Sequence, residues 1–231
     1  QLRTTAEMIK RVIVRLDQWY DKNDRTYVQT KNLVALAEIL VNRILEEETS
    51  VYSDLLHTCG LLVFENADSS RHKRKALRWW EKELPIRVKH YGENAYVASV
   101  YGNLAAVHRD FQEYEKTIEY QREAIRIMEQ VPETDKLEFA RYYISLAVSY
   151  LDSGNVEMAI RYQEKALEIR KEYAEEPNNQ LGDTFCELGM SYYCQGDAKK
   201  AIQYIEEGLT YVRKEKGEKD RWVAIRYTNL S

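Results

Sequence analysis

The 231-residue sequence predicts an all-α fold, a solenoid of antiparallel helix pairs, and three observations predict it. The first is a repeat of 42 residues: Asn103-Leu104-Ala105 returns as Ser145-Leu146-Ala147, as Glu187-Leu188-Gly189 and as Asn229-Leu230-Ser231. An aromatic residue stands two positions ahead of each triplet, at Tyr101, Tyr143, Phe185 and Tyr227. The second is an intercalated phase of the same period, in which Thr117-Ile118-Glu119-Tyr120 returns as Ala159-Ile160-Arg161-Tyr162 and Ala201-Ile202-Gln203-Tyr204. Self-similarity at a fixed period of about 20–50 residues marks a stack of units, each one supersecondary element that buries its apolar face on its neighbours. The third is composition: nine glycines and three prolines are too few for a turn-rich β fold, while 44% hydrophobic and 31% charged residues suit amphipathic helices.

In chain order, residues 1–50 read as two helices, forming either a linker or a degenerate repeat. Ile9, Val12, Ile13 and Leu16 share one helical face, Asp21-Lys22-Asn23-Asp24 breaks it, and Leu33, Leu36, Ala37, Leu40, Val41 and Ile44 form the next. Residues 51–231 are the repeat array, with the last repeat truncated. Residues 51–92 are a diverged first repeat in which Ala76-Leu77-Arg78-Trp79 matches Ala159-Ile160-Arg161-Tyr162 after one deletion. In that repeat the basic run Arg71-His72-Lys73-Arg74-Lys75 is expected in the inter-helix turn, solvated, with an anion or nucleic-acid contact as its functional alternative. Pro85 is expected to bend the second helix by removing a hydrogen bond. Residues 93–130, 135–174 and 179–216 are helix pairs with turns near 111, 154 and 196. Gly154-Asn155 and Gly196-Asp197 each pair a helix-ending glycine with the N-cap of the next helix. Pro132 and Pro177 mark the links between repeats.

Composition narrows the function. A net charge of -4 argues against nucleic acid as a partner, because phosphate binding needs clustered positive charge. Three cysteines with no metal-type spacing favour a reducing cytoplasm over a disulfide framework. The longest apolar runs are far shorter than a membrane span. There is no glycine-rich phosphate loop and no paired-histidine zinc motif, and the four histidines are isolated from one another. The sequence therefore offers no catalytic, metal or cofactor site, and the chain reads as a non-enzyme.

The residue pattern resembles the tetratricopeptide repeat. Leu146, Ala147, Tyr150, Gly154, Ala159 and Ala166 match that family's successive leucine, small, tyrosine, glycine, alanine and alanine. The next unit matches with Leu188, Gly189, Tyr192, Gly196 and Ala201, with Gly208 for the last alanine. The preceding unit departs further, with His108 for the tyrosine, Gln112 for the glycine and Thr117 for an alanine. The usual repeat has about 34 residues. The extra length here corresponds to about one more turn on each helix. This long form is similar to the arrays of kinesin light chains and to the repeat regions of bacterial NB-ARC/STAND signalling ATPases.

The resemblance implies a right-handed superhelix whose A helices line a concave face that holds a protein or extended peptide. Carried over by register, it implies a site at Asn103 and Arg109, Arg141 and Ser145, Glu187, Met190 and Tyr193, and Asn229. Asn103 and Asn229 match a position at which asparagine clamps a ligand backbone, whereas Ser145 and Glu187 depart from it. The aromatic series Trp79, Tyr120, Tyr162 and Tyr204 shares a seam with Ala159 and Ala166 and reads as core packing, with base stacking as the alternative. Two further readings are the sensor region of a larger signalling ATPase and a self-assembly surface. The second arises because Val223, Tyr227 and Leu230 sit on a final A helix with no B helix after it, so continuation of the native chain and self-association there are expected.

Overall fold

The computed structural model describes residues 50–65, 69–131, 135–173 and 179–216, with isolated helical positions at 35 and 39. The described residues form eight α-helices and no strands. These are α1 (Ser50–Glu65), α2 (Ser70–Tyr91), α3 (Ala95–Asp110), α4 (Tyr114–Gln130), α5 (Lys136–Asp152), α6 (Val156–Tyr173), α7 (Asn179–Gln195) and α8 (Ala198–Lys216). The architecture is an all-α helical repeat, with odd-numbered A helices and even-numbered B helices. The two helices expected before residue 50 and the final A helix carrying Val223, Tyr227, Asn229 and Leu230 lie outside the described residues. Backbone contacts divide the chain into two compact units, residues 1–112 and 113–231.

In the first unit α2 packs on α1 and α3. Leu55, Leu56, Leu62, Trp80, Val97 and Leu104 are buried at its centre, and Phe64 meets Trp80 edge-on at 5.6 Å between ring centroids. The structure corrects one expectation here. The basic run does not lie in a turn: Arg71 to Lys75 form the first turns of α2, which starts at Ser70. Two of its members fasten α2 to the end of α3. The Lys73 ammonium is 2.6 Å from Asp110, and the Arg74 guanidinium lies 5.4 Å from the centre of the Phe111 ring. Pro85 lies inside α2, which continues to Tyr91. Pro85 and Glu81, one turn earlier, are both exposed, so a carbonyl deprived of its amide partner there is satisfied by water.

At the end of α3, Gln112 has φ 60, in the left-handed region. It holds the repeat position of Gly154 (φ 82) and Gly196 (φ 91), 42 and 84 residues further on. The turn geometry is the same in these three repeats, and the repeat of residues 93–130 meets it with a side chain that resists that conformation.

In the second unit each helix packs on the next. Asn155 accepts from the Met158 N–H at 3.1 Å and Asp197 from the Lys200 N–H at 3.0 Å, the N-caps expected from sequence. Ala147, Ala159 and Ala166 are fully buried, and the tyrosines stack beside them. Tyr150 lies parallel to Tyr162 at 5.6 Å, and Tyr192 lies parallel to Tyr204 at 5.4 Å. Tyr162 itself is half-buried. The α7–α8 crossing is closer still. A Cβ on Gly208 would meet Cys186 Sγ at 2.6 Å and the Gly182 carbonyl oxygen at 2.7 Å. A glycine therefore stands where Ala166 suffices one repeat earlier, because backbone itself occupies the space.

Two predictions follow from this packing. Gly208→Ala should destabilise the chain by about 1–3 kcal/mol, the cost of overpacking a rigid contact, read as a lower denaturant midpoint with an unchanged slope. Burial, with a hydrogen bond from its hydroxyl to Glu164 at 2.7 Å, raises the Tyr192 phenol above its ordinary value. Since the folded phenol then holds its proton after the unfolded one has released it, stability is full below about pH 10 and falls as pH rises beyond it. Tyr192→Phe should flatten that alkaline loss in a pH series of melting temperatures.

Candidate functional site

The residues expected to bind a ligand fall on the A helices. Asn103 and Arg109 lie on α3 of the first unit, both half-exposed. Arg141 and Ser145 lie on α5, and Glu187, Met190 and Tyr193 on α7, all in the second unit. Asn229 is outside the described residues.

In the second unit the structure brings several of these side chains into one arrangement. The Ser145 side chain turns toward α4, where Gln121 Nε2 donates to Ser145 Oγ at 2.9 Å and to the Ser145 carbonyl at 3.2 Å. Its hydroxyl thus serves the seam between successive repeats. Glu187, 42 residues later at the same repeat position, is half-buried and acts on a residue that sequence reasoning missed, Arg170 of α6.

Arg170 stands at a position where the neighbouring repeats carry buried apolar residues, Met128 before it and Val212 after it, each 42 residues away. It is only 7% exposed. Its Nη1 donates to the Gln180 carbonyl at 2.7 Å and closely to Thr184 Oγ1. Burial pulls the guanidinium below its ordinary value, Glu187 and Asp183 oppose that by holding the charge, and Arg141 adds to the lowering by like-charge repulsion. Four charged groups from three successive helices therefore feel one another: Arg141 from α5, Arg170 from α6, and Asp183 and Glu187 from α7. The signal in the sequence was a charged residue at an apolar phase of the repeat. The matching position in the diverged first repeat, after its one-residue deletion, is Arg87, also buried, which donates to the fully buried Glu83 and to Asp54 at 3.1 Å.

Around this charged group the A-helix surface is open. The Arg141 side chain is 68% exposed, with Glu138 3.8 Å away. On α7, Met190 and Tyr193 are 37% and 64% exposed, large apolar side chains presented to solvent. Among the described residues, no group of three His, Cys, Asp or Glu side chains is placed to hold a metal ion, and no helix is long and apolar enough to cross a membrane. None of the three cysteines forms a disulfide; Cys59 and Cys186 are buried and Cys194 is exposed. Burial pushes the Cys59 thiol up to about 12, so it is not a nucleophile near neutral pH.

Comparison with known proteins places this geometry. Residues 96–172 match the tetratricopeptide repeat family. No curated protein sequence matches the chain. Among solved structures, the chain is similar to BtubC (BKLC) from P. vanneervenii, with 21% identity over 94% of this chain and 84% of that one, at a TM-score of 0.72. It is also similar to a putative kinesin light chain of Podosopora anserina with nearly identical TPR-like repeats (16% identity, 93% and 96% covered, TM-score 0.69). A third similar structure is MamA from Desulfovibrio magneticus RS-1 (14% identity, 92% and 97% covered, TM-score 0.65). At these identities the likeness is one of fold.

The placement of Arg170 generates a prediction. Arg170→Ala leaves a cavity and strands two carboxylates, and should cost about 3 kcal/mol. Arg170→Met supplies the residue that the preceding repeat buries at the same position, and should cost less than half as much. Equal losses in urea denaturation would show that the seam does not treat the two positions alike.

Proposed function

We propose that this chain, whose residues 96–172 match the tetratricopeptide repeat family, is a non-catalytic binding module that holds an extended segment of a protein partner against its A helices. The observation that carries this reading is the arrangement on α5 to α7. Arg141 is exposed and adjoins the group formed by Arg170, Asp183 and Glu187, and exposed Met190 and Tyr193 continue along α7. An extended peptide presents backbone amides, carbonyls and alternate side chains, so it needs fixed polar partners with apolar contacts between them. Glu187 accepts, Arg141 donates, and Tyr193 offers a large rigid surface with little entropy to lose. Asn103, Arg109 and Asn229 hold corresponding repeat positions and belong to the same proposal, as does a concave setting for this face. A cytoplasmic location fits three cysteines that form no disulfide with one another.

The test is affinity capture with the purified chain, identification of the bound segment by mass spectrometry, and titration of the synthetic segment. Arg141→Ala and Tyr193→Ala should each weaken binding about tenfold, or about 1.4 kcal/mol, with the helical circular dichroism unchanged. Affinities unaltered by both substitutions would place the ligand elsewhere.

A further inference from the structure

The opposite side of the second unit carries a groove between the B helices α4 and α6. Two adjoining cavities, of about 560 and 530 Å³, share Glu129. The floor of the first is Leu146 and Tyr162, and that of the second is Phe139 and Tyr143. The two floors meet, since the Tyr143 and Tyr162 rings are 5.8 Å apart and Phe139 lies 6.3 Å from Tyr143. The result is one trough with an aromatic floor and charged walls along helices of 17 and 18 residues, about 25 Å long.

One lining position of the trough differs in the next repeat. Its second cavity is lined by Ile169. In the next repeat the same position, 42 residues on, is Tyr211, a larger side chain whose ring stacks on Phe185 at 5.6 Å. The walls are charged, with an acidic excess. Glu115, Glu119, Glu123, Glu129 and Glu172 line the two cavities against Arg122, Arg126 and Lys136, and Glu123 and Arg126 pair with each other at 2.9 Å. The aromatic floor already draws a cation from its own chain: the Lys165 ammonium stands 5.3 Å from the Tyr143 ring centre and 5.4 Å from that of Tyr162.

We propose that this groove is a docking site for a basic amphipathic helix of a partner protein. Two parallel helices with an apolar floor between them accept a third helix in ridge-into-groove packing. The apolar stripe of that helix covers the half-buried Tyr162 and Tyr143, and its flanking lysines or arginines reach Glu115 and Glu119 at one end and Glu129 and Glu172 at the other. An acidic helix meets repulsion from the same walls, so charge sets the choice of partner. The site is independent of the A-helix face, so either proposal can fail alone.

The probe is a synthetic leucine–lysine amphipathic peptide of about 18 residues, matched to the groove length, with a leucine–glutamate peptide of the same pattern as its control. Both are titrated into the full 231-residue chain by fluorescence anisotropy, with circular dichroism reporting peptide helicity. The lysine peptide should bind as a helix and the glutamate peptide should bind at least about tenfold more weakly. Ile169→Tyr, which imports the residue the next repeat accommodates, should weaken lysine-peptide binding about tenfold, and so should Glu115→Lys combined with Glu119→Lys. Arg141→Ala should leave it unchanged. Absence of lysine-peptide binding, equal binding of the two peptides, binding as an extended chain, or affinity indifferent to both groove variants would overturn the proposal.

Discussion

Close approach of the two helices within each repeat is the constraint on which the structure depends. Ala147, Ala159 and Ala166 are fully buried in one pair, and Gly189, Ala201 and Gly208 hold the same positions in the next. The small residues leave backbone nearly touching backbone, and the stacked tyrosines fill the wedge beside them. Interiors packed this tightly tolerate little change of volume, which fixes the rotation of each helix about its axis. That rotation decides which residues face the seam, which face the A surface and which face the groove between B helices. A residue's role in this chain is therefore its phase within the 42-residue period.

Departures from the repeat give single positions different surroundings. At one phase of the B helix the chain uses Met128 and Val212 for packing but Arg170 for charge. The arginine brings Asp183 and Glu187 into its field and so converts a plain stretch of α7 into a polar surface. At another phase Ile169 lines a groove, and the next repeat places Tyr211 there, stacked on Phe185. A buried ion pair is a poor source of net stability, since desolvation offsets much of the attraction. Arg170 is better understood through what it arranges on the surface above it.

The helices, their turns and most of their caps were legible in the sequence because period and capping are local signals: Gly154-Asn155 and Gly196-Asp197 mark the same turn twice. The diverged first repeat was not legible in the same way. There the basic run is drawn into α2 by contacts with Asp110 and Phe111, both distant in sequence, and Pro85 is tolerated because its side of the helix faces water. The A-face positions of Arg141, Glu187, Met190 and Tyr193 came from register alone. Arg170 was missed because on a charge-rich helix one more arginine looks solvated, and its burial depends on Thr184 and Gln180 of the next helix.

The most direct test of this account is a double-mutant cycle that replaces Arg170 by methionine and Glu187 by serine, the residues the preceding repeat uses at Met128 and Ser145. Unfolding free energies of the parent, both single variants and the double variant give the coupling between the two sites. If phase sets role and the pair forms one charged unit, the double variant should be more stable than the sum of the single effects allows, by about 1 kcal/mol. Strict additivity would contradict the account, because it would mean that Arg170 and Glu187 act independently and that the A-face arrangement has no energetic basis.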